Sequence, residues 1–171
     1  MSAYVYGIVE RKAPACASVG SSCDSGTLLN GRAAAGPESN APNTIASSCA
    51  DGASGVYHSD ESLDRLKVST LDGSALGPGK TVRIDATVWA YAGFTSDHLD
   101  LYSAANAASP SWIFIGTVNP TAAGASTLSA TYTLPAGALQ AVRGVFRFNG
   151  AAAACTLGQY DDHDDLVFAT Q

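Results

Sequence analysis

The fold is decided by residues 81–92, which read TVRIDATVWAYA. Apolar and polar side chains alternate along this stretch, and a period of two predicts a β-strand with one buried face. The predicted core face consists of Val82, Ile84, Ala86, Val88 and Ala90. The opposite face consists of Arg83, Asp85, Thr87, Trp89 and Tyr91. Residues 81–92 therefore predict a central strand whose outer face is polar and aromatic.

Seven further stretches have the composition of short strands, and turn residues such as Gly, Pro and Asp separate them. These stretches are residues 55–58, 63–70, 98–104, 112–119, 127–134, 140–149 and 165–170. Eight short strands with frequent turns predict an all-β fold, an antiparallel β-sandwich that is jelly-roll-like, over residues 49–171. Residues 1–48 are rich in Ala, Ser, Gly and Pro, so we expect an irregular, disulfide-pinned N-terminal arm packed on this body.

Composition excludes two classes of protein. The net charge is −6 and the nine Lys and Arg residues are scattered along the chain without forming a basic cluster, which excludes a nucleic-acid-binding surface. No apolar run approaches the length of a membrane span, so membrane insertion is not expected. Residues 1–12 match no pattern that we can name and lack the features of a signal peptide, so a secreted form would be a mature or excised fragment.

The four cysteines predict two disulfide bonds. Their number is even and they form no close C-x-x-C pair, which favours disulfides over a zinc site. Three pairings are possible, and we expect Cys16–Cys23 and Cys49–Cys155. Disulfides place the protein outside the cell, either secreted or at the cell surface. The alternative is four free, buried thiols in a cytosolic protein.

Two acidic patches predict a structural calcium (Ca2+) site. Four carboxylates lie within residues 161–165, and a second patch lies about a hundred residues earlier. In a strand, Asp162 and Asp164 share a face with Leu166 and Phe168, while His163, Asp165 and Val167 share the other. Crowded carboxylates repel unless a cation neutralises them, and Ca2+ takes six to eight oxygen ligands. The expected ligands are Asp60, Glu61, Asp64, Asp162, Asp164 and Asp165. The alternative is a solvated acidic turn.

The outward-facing positions of three strands predict a ligand-binding surface. Flat aromatic rings stack on sugars, and Asp, Asn and Arg make paired hydrogen bonds to hydroxyl groups. If the three strands are neighbours, the candidate residues form one surface. They are Trp89, Tyr91, His98, Asp100, Tyr102, Arg147 and Asn149. The alternative is that the N-terminal arm covers Trp89 and Tyr91, which then merely extend the core.

Evidence for catalysis is weak. His58, His98 and His163 each have an Asp or Ser as a neighbour, which could orient an imidazole. However, the sequence contains no nucleophile elbow and no H-E-x-x-H motif. We therefore predict no catalytic residues and no enzymatic activity, although a small hydrolase that uses a His–Asp pair remains a rival hypothesis.

Several segments together resemble a known kind of module. Residues 97–105, 110–117, 132–137, 140–143 and 161–168 resemble β-sandwich accessory (C-terminal) modules of secreted bacterial hydrolases. The terminal Asp-Asp-x-x-Phe pattern of residues 164–168 resembles the last strand of jelly-roll carbohydrate-binding modules, which bind structural Ca2+ there. The resemblance implies a non-catalytic extracellular module that binds a glycan or polymer and is fused to, or associated with, a secreted hydrolase. The alternative is a structural or targeting appendage of a secreted protease with no glycan ligand.

Overall fold

The computed structural model describes residues 12–36 and 38–171. Across these residues the chain forms nine strands and three short 3-10 helices. The strands are β1 (Ala15–Cys16), β2 (Ser22–Asp24), β3 (Ser62–Thr70), β4 (Thr81–Ala90), β5 (Asp97–Ala104), β6 (Ile113–Val118), β7 (Gly124–Thr133), β8 (Leu139–Phe148) and β9 (Asp162–Ala169). The 3-10 helices are Ala33–Ala35, Ile45–Ser47 and Phe94–Ser96.

The strands form two sheets that pack face to face. One sheet has five strands in the order β1-β9-β8-β5-β6, and the other has four in the order β2-β3-β4-β7. All neighbouring strands are antiparallel except β1 and β9. The predicted all-β antiparallel sandwich is confirmed. The predicted strand over residues 55–58 is wrong, because that segment makes only an isolated bridge between Tyr57 and Asp60.

The N-terminal arm contributes strands to both sheets, whereas the sequence predicted an irregular segment packed on the sandwich. It adds the edge strand β1 to the five-stranded sheet and the edge strand β2 to the four-stranded sheet. The Cys16–Cys23 disulfide joins these two edge strands, with 5.8 Å between the Cα atoms. The Cys49–Cys155 disulfide joins the end of the arm to the loop before β9. Both predicted disulfide pairs are confirmed. The prediction for residues 1–11 lies outside the described residues.

The core between the sheets follows the alternation of β4. Val82, Ile84, Ala86 and Val88 are completely buried. Gly144 of β8 also faces the core, and a Cβ atom there would overlap the side chain of Leu63 on the opposite sheet. The missing side chain at Gly144 therefore lets Leu63 pack directly against the backbone of β8.

The outer faces of the two sheets differ. In β8 and β9 nearly every residue is buried, on both faces of the five-stranded sheet. The arm residues Ala13 and Ile45 pack on the outer face of this sheet against Ala141 and Val167. Residues of β4 instead alternate between buried and partly or fully exposed. The outer face of the four-stranded sheet is therefore open to solvent, whereas β8 and β9 of the five-stranded sheet are covered on both faces.

In the described part of the chain, no helix has the length and apolar character that crossing a bilayer requires.

Candidate functional sites

The two acidic patches meet, as the sequence predicted. The backbone N–H of Leu63 donates a hydrogen bond to Asp162 Oδ2 at 2.6 Å, between the start of β3 and the start of β9. This contact spans 99 residues of sequence and the gap between the two sheets. The individual carboxylates nevertheless point in different directions, so the six predicted ligands do not surround one point.

Three of the six predicted calcium ligands have other partners. Asp165 faces the outer side of the five-stranded sheet, where Arg143 Nε donates to its Oδ1 at 2.7 Å and the N–H of Ile45 donates to its Oδ2. Asp64 contacts His58 Nε2 at 2.7 Å. Asp60 accepts a hydrogen bond from the N–H of Val56. Each of these three residues therefore has at least one oxygen in contact with a protein group, while Asp64 Oδ1 is buried without a partner.

Glu61 is paired with another acid. It is buried, and the carboxyl group of Asp97 lies close enough to act on its ionisation. Burial is the main cause that raises the pKa of Glu61 to about 8, and the neighbouring Asp97 adds to it. Asp97 also accepts the N–H of Tyr91 at 2.8 Å. Glu61 therefore belongs to a carboxyl pair that the sequence analysis missed.

Asp162 and Asp164 belong to a separate buried group of acids with Glu38 of the arm and Asp51, which lies just after the arm. Asp162 and Asp164 are completely buried, and they share a face of β9 with the core residues Leu166 and Phe168, as the alternation predicted. Burial first, and then the charges of neighbouring acids, raise the pKa of both residues well above the usual range. Burial likewise raises the pKa of Glu38 to about 7 and that of Asp51 to about 7.

Glu38 and Asp51 were missed because neither belongs to a run of closely spaced carboxylates in the sequence. One signal was available: Asp51 follows Cys49 by two residues, and the predicted bond from Cys49 to Cys155 brings that segment close to β9. Asp51 Oδ1 indeed accepts the N–H of His163 at 2.9 Å. No comparable signal identified Glu38, whose carboxyl group accepts hydrogen bonds from the N–H of Ala33 and from Asn43 Nδ2.

One group of metal-ligating residue types has closely spaced atoms. Ligand atoms of Cys49, Cys155 and His163 lie within 4.8 Å of one another, but the two sulfur atoms are bonded to each other. Because a metal binds the thiolate and not a disulfide, this group is not a metal site. No three carboxylates of the described segments bring one oxygen each within the same 4.8 Å.

His163 lies in an arrangement that resembles part of a catalytic triad. Its Nε2 is 2.8 Å from Thr156 Oγ1, and its Nδ1 is 3.6 Å from Asp51 Oδ1. However, Thr156 Oγ1 donates to Asp161 Oδ2, and the N–H of Thr156 donates to His163 Nε2. The imidazole is completely buried, and burial lowers its pKa to about 4. The group therefore has the contacts of a structural network.

The predicted sugar-binding residues lie on two different sheets. Trp89 belongs to β4 of the four-stranded sheet, whereas Asp100 and Arg147 belong to the five-stranded sheet. Asp100 and Arg147 form a buried ion pair, with Nε donating to Oδ2 at 2.6 Å. Tyr102 is 5% exposed. The single surface predicted across these strands is not formed, because β4 and β5 are not neighbours.

The remaining predicted residues lie at the end of the sandwich. Arg147 and Asn149 line a groove of about 440 Å³ together with Phe148. The ring of Tyr91 meets the Phe148 ring edge-on at 6.3 Å between centroids. His98 Nδ1 contacts Asn119 Oδ1 at 2.7 Å. Of the predicted residues, Tyr91, Arg147 and Asn149 are therefore brought to one region, and Trp89 is not.

The outer face of the four-stranded sheet holds a second groove, of about 450 Å³. Polar and charged side chains from β3, β4 and β7 line it: Arg65, Lys67, Arg83, Asp85, Thr87, Thr127 and Ser129. Asp85 Oδ1 accepts Ser129 Oγ at 2.6 Å, and its other oxygen accepts Arg83 Nε at 3.0 Å. The groove is thus lined by side chains held in defined positions.

An aromatic stack lies on the same outer face. It includes Trp89, which is two residues beyond Thr87 in β4. The ring of His58 stacks on Trp89 with 4.4 Å between centroids, and the ring of Tyr57 stacks on His58 at 3.8 Å. One hypothesis drawn from the sequence is that the N-terminal arm covers Trp89. The contacting residues instead come from the segment just before β3, and Trp89 remains partly exposed.

No protein-family model matches this sequence, and no curated protein matches it. The resemblance to hydrolase accessory modules and to carbohydrate-binding modules therefore stays a prediction.

Proposed function

We propose that this chain is a non-catalytic, extracellular carbohydrate-binding module whose ligand lies on the outer face of the four-stranded sheet. The observation that carries the proposal is the groove of about 450 Å³ on this face, which polar side chains of three adjacent strands line. Hydroxyl, carboxylate and guanidinium groups at fixed positions are suited to paired hydrogen bonds with sugar hydroxyls. The two disulfides are compatible with an extracellular location.

The charges in the groove favour a glycan that carries carboxylate or sulfate groups. Its lining includes three cations, Arg65, Lys67 and Arg83, and one anion, Asp85. Arg65 is paired with Asp24, and Arg83 with Asp85. Within the described residues, no carboxylate lies at ion-pair distance from Lys67. In a protein of net charge −6, this is a local excess of positive charge.

Trp89 adds an aromatic ring to the same face of the sheet, beside the groove. It follows Arg83, Asp85 and Thr87 at the alternate positions of β4. One side of its ring is stacked on His58, so a sugar would meet the remaining exposed part of the ring. The aromatic stack is expected to hold this part of the surface rigid, which reduces the entropy lost on binding.

The proposal is tested with an array of neutral, carboxylated and sulfated polysaccharides, followed by titration calorimetry on the polysaccharides that bind. We expect binding to acidic members, and weaker binding as the salt concentration rises. Replacing Lys67 and Arg83 with Ala should lower affinity at least tenfold. Arg83 has a side chain that is 50% exposed, so the double variant should keep its stability within about 0.5 kcal/mol.

Lys80→Ala is the matched control. Lys80 is a comparably exposed cation on the β3–β4 connection, where it pairs with Asp72 outside the groove lining. Its removal should leave glycan binding unchanged. If Tyr91→Ala abolishes binding while the groove variants do not, the ligand site is the groove beside Phe148 and our assignment is wrong. An array with no bound glycan would favour the appendage without a glycan ligand.

A further inference from the structure

The turn that follows β8 contains one of the two Asn-Gly pairs of the sequence, Asn149–Gly150. The other pair is Asn30–Gly31 in the N-terminal arm. In such a pair the backbone nitrogen of the glycine can attack the side-chain carbonyl carbon of the asparagine, because glycine has no side chain that blocks the approach. The reaction also requires that the fold leaves both groups accessible and allows the backbone to rotate. The two pairs can therefore be compared within one molecule.

The Asn149–Gly150 pair lies in an open turn. The φ angle is 57° for Asn149 and 72° for Gly150, a left-handed region that these two residue types adopt most readily. Both residues are exposed. A Cβ atom built on Gly150 would have nothing within 4 Å apart from its chain neighbours. The surroundings of this peptide group therefore do not oppose its movement.

The hydrogen bonds of the turn leave the two reacting groups free. Arg147 Nη1 donates to the carbonyl oxygen of Asn149 at 2.6 Å and to that of Gly150 at 2.8 Å. The N–H of Asn149 donates to the carbonyl oxygen of Ser96. Within residues 12–36 and 38–171, neither the N–H of Gly150 nor the side-chain amide of Asn149 has a hydrogen-bond partner. Neither group therefore has to break a hydrogen bond with the protein before it reacts.

The contact from Arg147 also favours the attack. The carbonyl of Asn149 and the N–H of Gly150 belong to one peptide group, over which electrons are delocalised. A guanidinium that donates to the oxygen withdraws electron density from the nitrogen, so the N–H gives up its proton more readily. Asp100 fixes this guanidinium, because its Oδ2 accepts a hydrogen bond from Arg147 Nε at 2.6 Å.

The Asn30–Gly31 pair lies in a tightly packed environment. Gly31 is buried, and a Cβ atom at this position would lie 2.5 Å from the backbone nitrogen of Glu38. The next residue, Arg32, is 1% exposed and donates to the carbonyl oxygen of Gly52 at 2.7 Å. This packing opposes the backbone rotation that the attack requires.

We propose that Asn149–Gly150 is a site of spontaneous deamidation in the folded protein, whereas Asn30–Gly31 is protected. The Gly150 nitrogen loses its proton to water and bonds to Cγ of Asn149, and the side-chain nitrogen leaves as ammonia. Water then opens the cyclic imide at either carbonyl carbon, which leaves an aspartyl or isoaspartyl residue at position 149. The reaction consumes one water, releases one ammonia and involves no oxidation. The net charge changes from −6 to −7, because one carboxylate replaces one neutral amide.

The modification changes the groove beside Phe148. Asn149 and Gly150 line this groove of about 440 Å³ together with Arg147. A carboxylate at position 149 adds a negative charge next to the Arg147 guanidinium, which already pairs with Asp100. An isoaspartyl linkage also lengthens the main chain at the turn. The folded protein therefore converts with time into a more acidic form that differs at this end of the sandwich.

The test uses the full, disulfide-bonded chain, incubated at neutral pH and sampled over time. Peptide mapping by mass spectrometry measures deamidation at both pairs, in the folded chain and in the chain that has been reduced and unfolded in urea. Unfolded, the two pairs should react at similar rates. Folding should leave the rate at Asn149 nearly unchanged and slow Asn30 at least tenfold, because a buried segment must open before it reacts.

Asn149→Gln and Asn30→Gln are the matched variants. The longer Gln side chain keeps the amide group but disfavours closure of the ring. In anion-exchange chromatography, Asn149→Gln should no longer form the more acidic species during incubation, whereas Asn30→Gln should form it at the rate of the unaltered chain.

The proposal is overturned if folding slows Asn149 as strongly as Asn30, since the turn is then protected. It is also overturned if Asn149→Gln still forms the acidic species, because the modification then lies elsewhere. None of these readouts involves a glycan, so they are independent of the proposed function.

Discussion

Arg143 shows how a single buried residue joins three parts of the chain. Its guanidinium pairs with Asp165 of β9 through two hydrogen bonds and also donates to Ser48 Oγ and to the carbonyl of Ala154. The Trp112 ring covers its Cζ at 4.3 Å from the centroid. All these contacts lie on the outer face of the five-stranded sheet, which explains why a charged side chain is only 2% exposed there.

Arg143→Leu should lower the free energy of unfolding by about 3–5 kcal/mol, because it leaves the Asp165 carboxylate buried without its partner. Urea denaturation followed by tryptophan fluorescence measures this change. The double variant Arg143→Leu/Asp165→Leu should recover much of the loss, since it removes both charges. A double variant as unstable as the single one would show that the contacts to Ser48 and Ala154 matter more than the ion pair.

At the scale of elements, the two disulfides act on different parts of the arm. Cys16–Cys23 links the edge strands β1 and β2 over a sequence separation of 7. Cys49–Cys155 links the end of the arm to the loop before β9 over a separation of 106. Close backbone packing supports the second link, because Gly52 donates its N–H to the carbonyl of Asp161 at 2.7 Å.

Because closing a longer loop costs the unfolded chain more entropy, the two disulfides should contribute unequally. Replacing Cys49 and Cys155 with Ala should cost about 4–5 kcal/mol of stability, against about 2–3 kcal/mol for the Cys16/Cys23 pair. Denaturant titration of the two double variants checks this. Equal losses would show that strain or residual structure in the unfolded chain outweighs loop length.

At the scale of the whole molecule, buried acids concentrate at one end of the sandwich. The Glu61–Asp97 carboxyl pair lies near Asp60, which also acts to raise the pKa of both residues, while His98 acts to lower that of Asp97. The folded protein holds a proton on this pair more tightly than the unfolded chain does. The pair therefore makes its full contribution to the free energy of unfolding below pH 4.5, the ordinary pKa of Glu. This contribution is lost as the pH rises toward about 8, the pKa of Glu61 in the folded protein.

Glu61→Gln should weaken this pH dependence. The melting temperature of the unaltered chain should fall between about pH 5 and pH 8 more steeply than that of the variant, because Gln stays neutral in both states. Above pH 7 the variant should be the more stable protein. Melting curves at several pH values, all at one fixed Ca2+ concentration, provide the comparison. Parallel curves would show that the pair does not titrate in this range.

The sequence by itself determined the strand pattern and its sidedness. Alternation is a local property of an extended chain, so the burial of Val82 and Ile84, and the shared face of Asp162 and Asp164 with Leu166 and Phe168, followed from the order of residues. It also allowed both disulfide pairs to be chosen among three possibilities, and it indicated that the two acidic patches meet.

Only the tertiary structure decided which strands are neighbours and what covers each face. The alternation of β4 is the same whether β5 or β7 lies beside it, so it could not show that Trp89 and Asp100 lie on different sheets. Nor could it show that Glu38 and Asp51 reach β9, because the irregular arm has no periodicity that orients its side chains. Both candidate sites therefore depend on long-range packing, in which residues distant in the chain come together through sheet order and loop path.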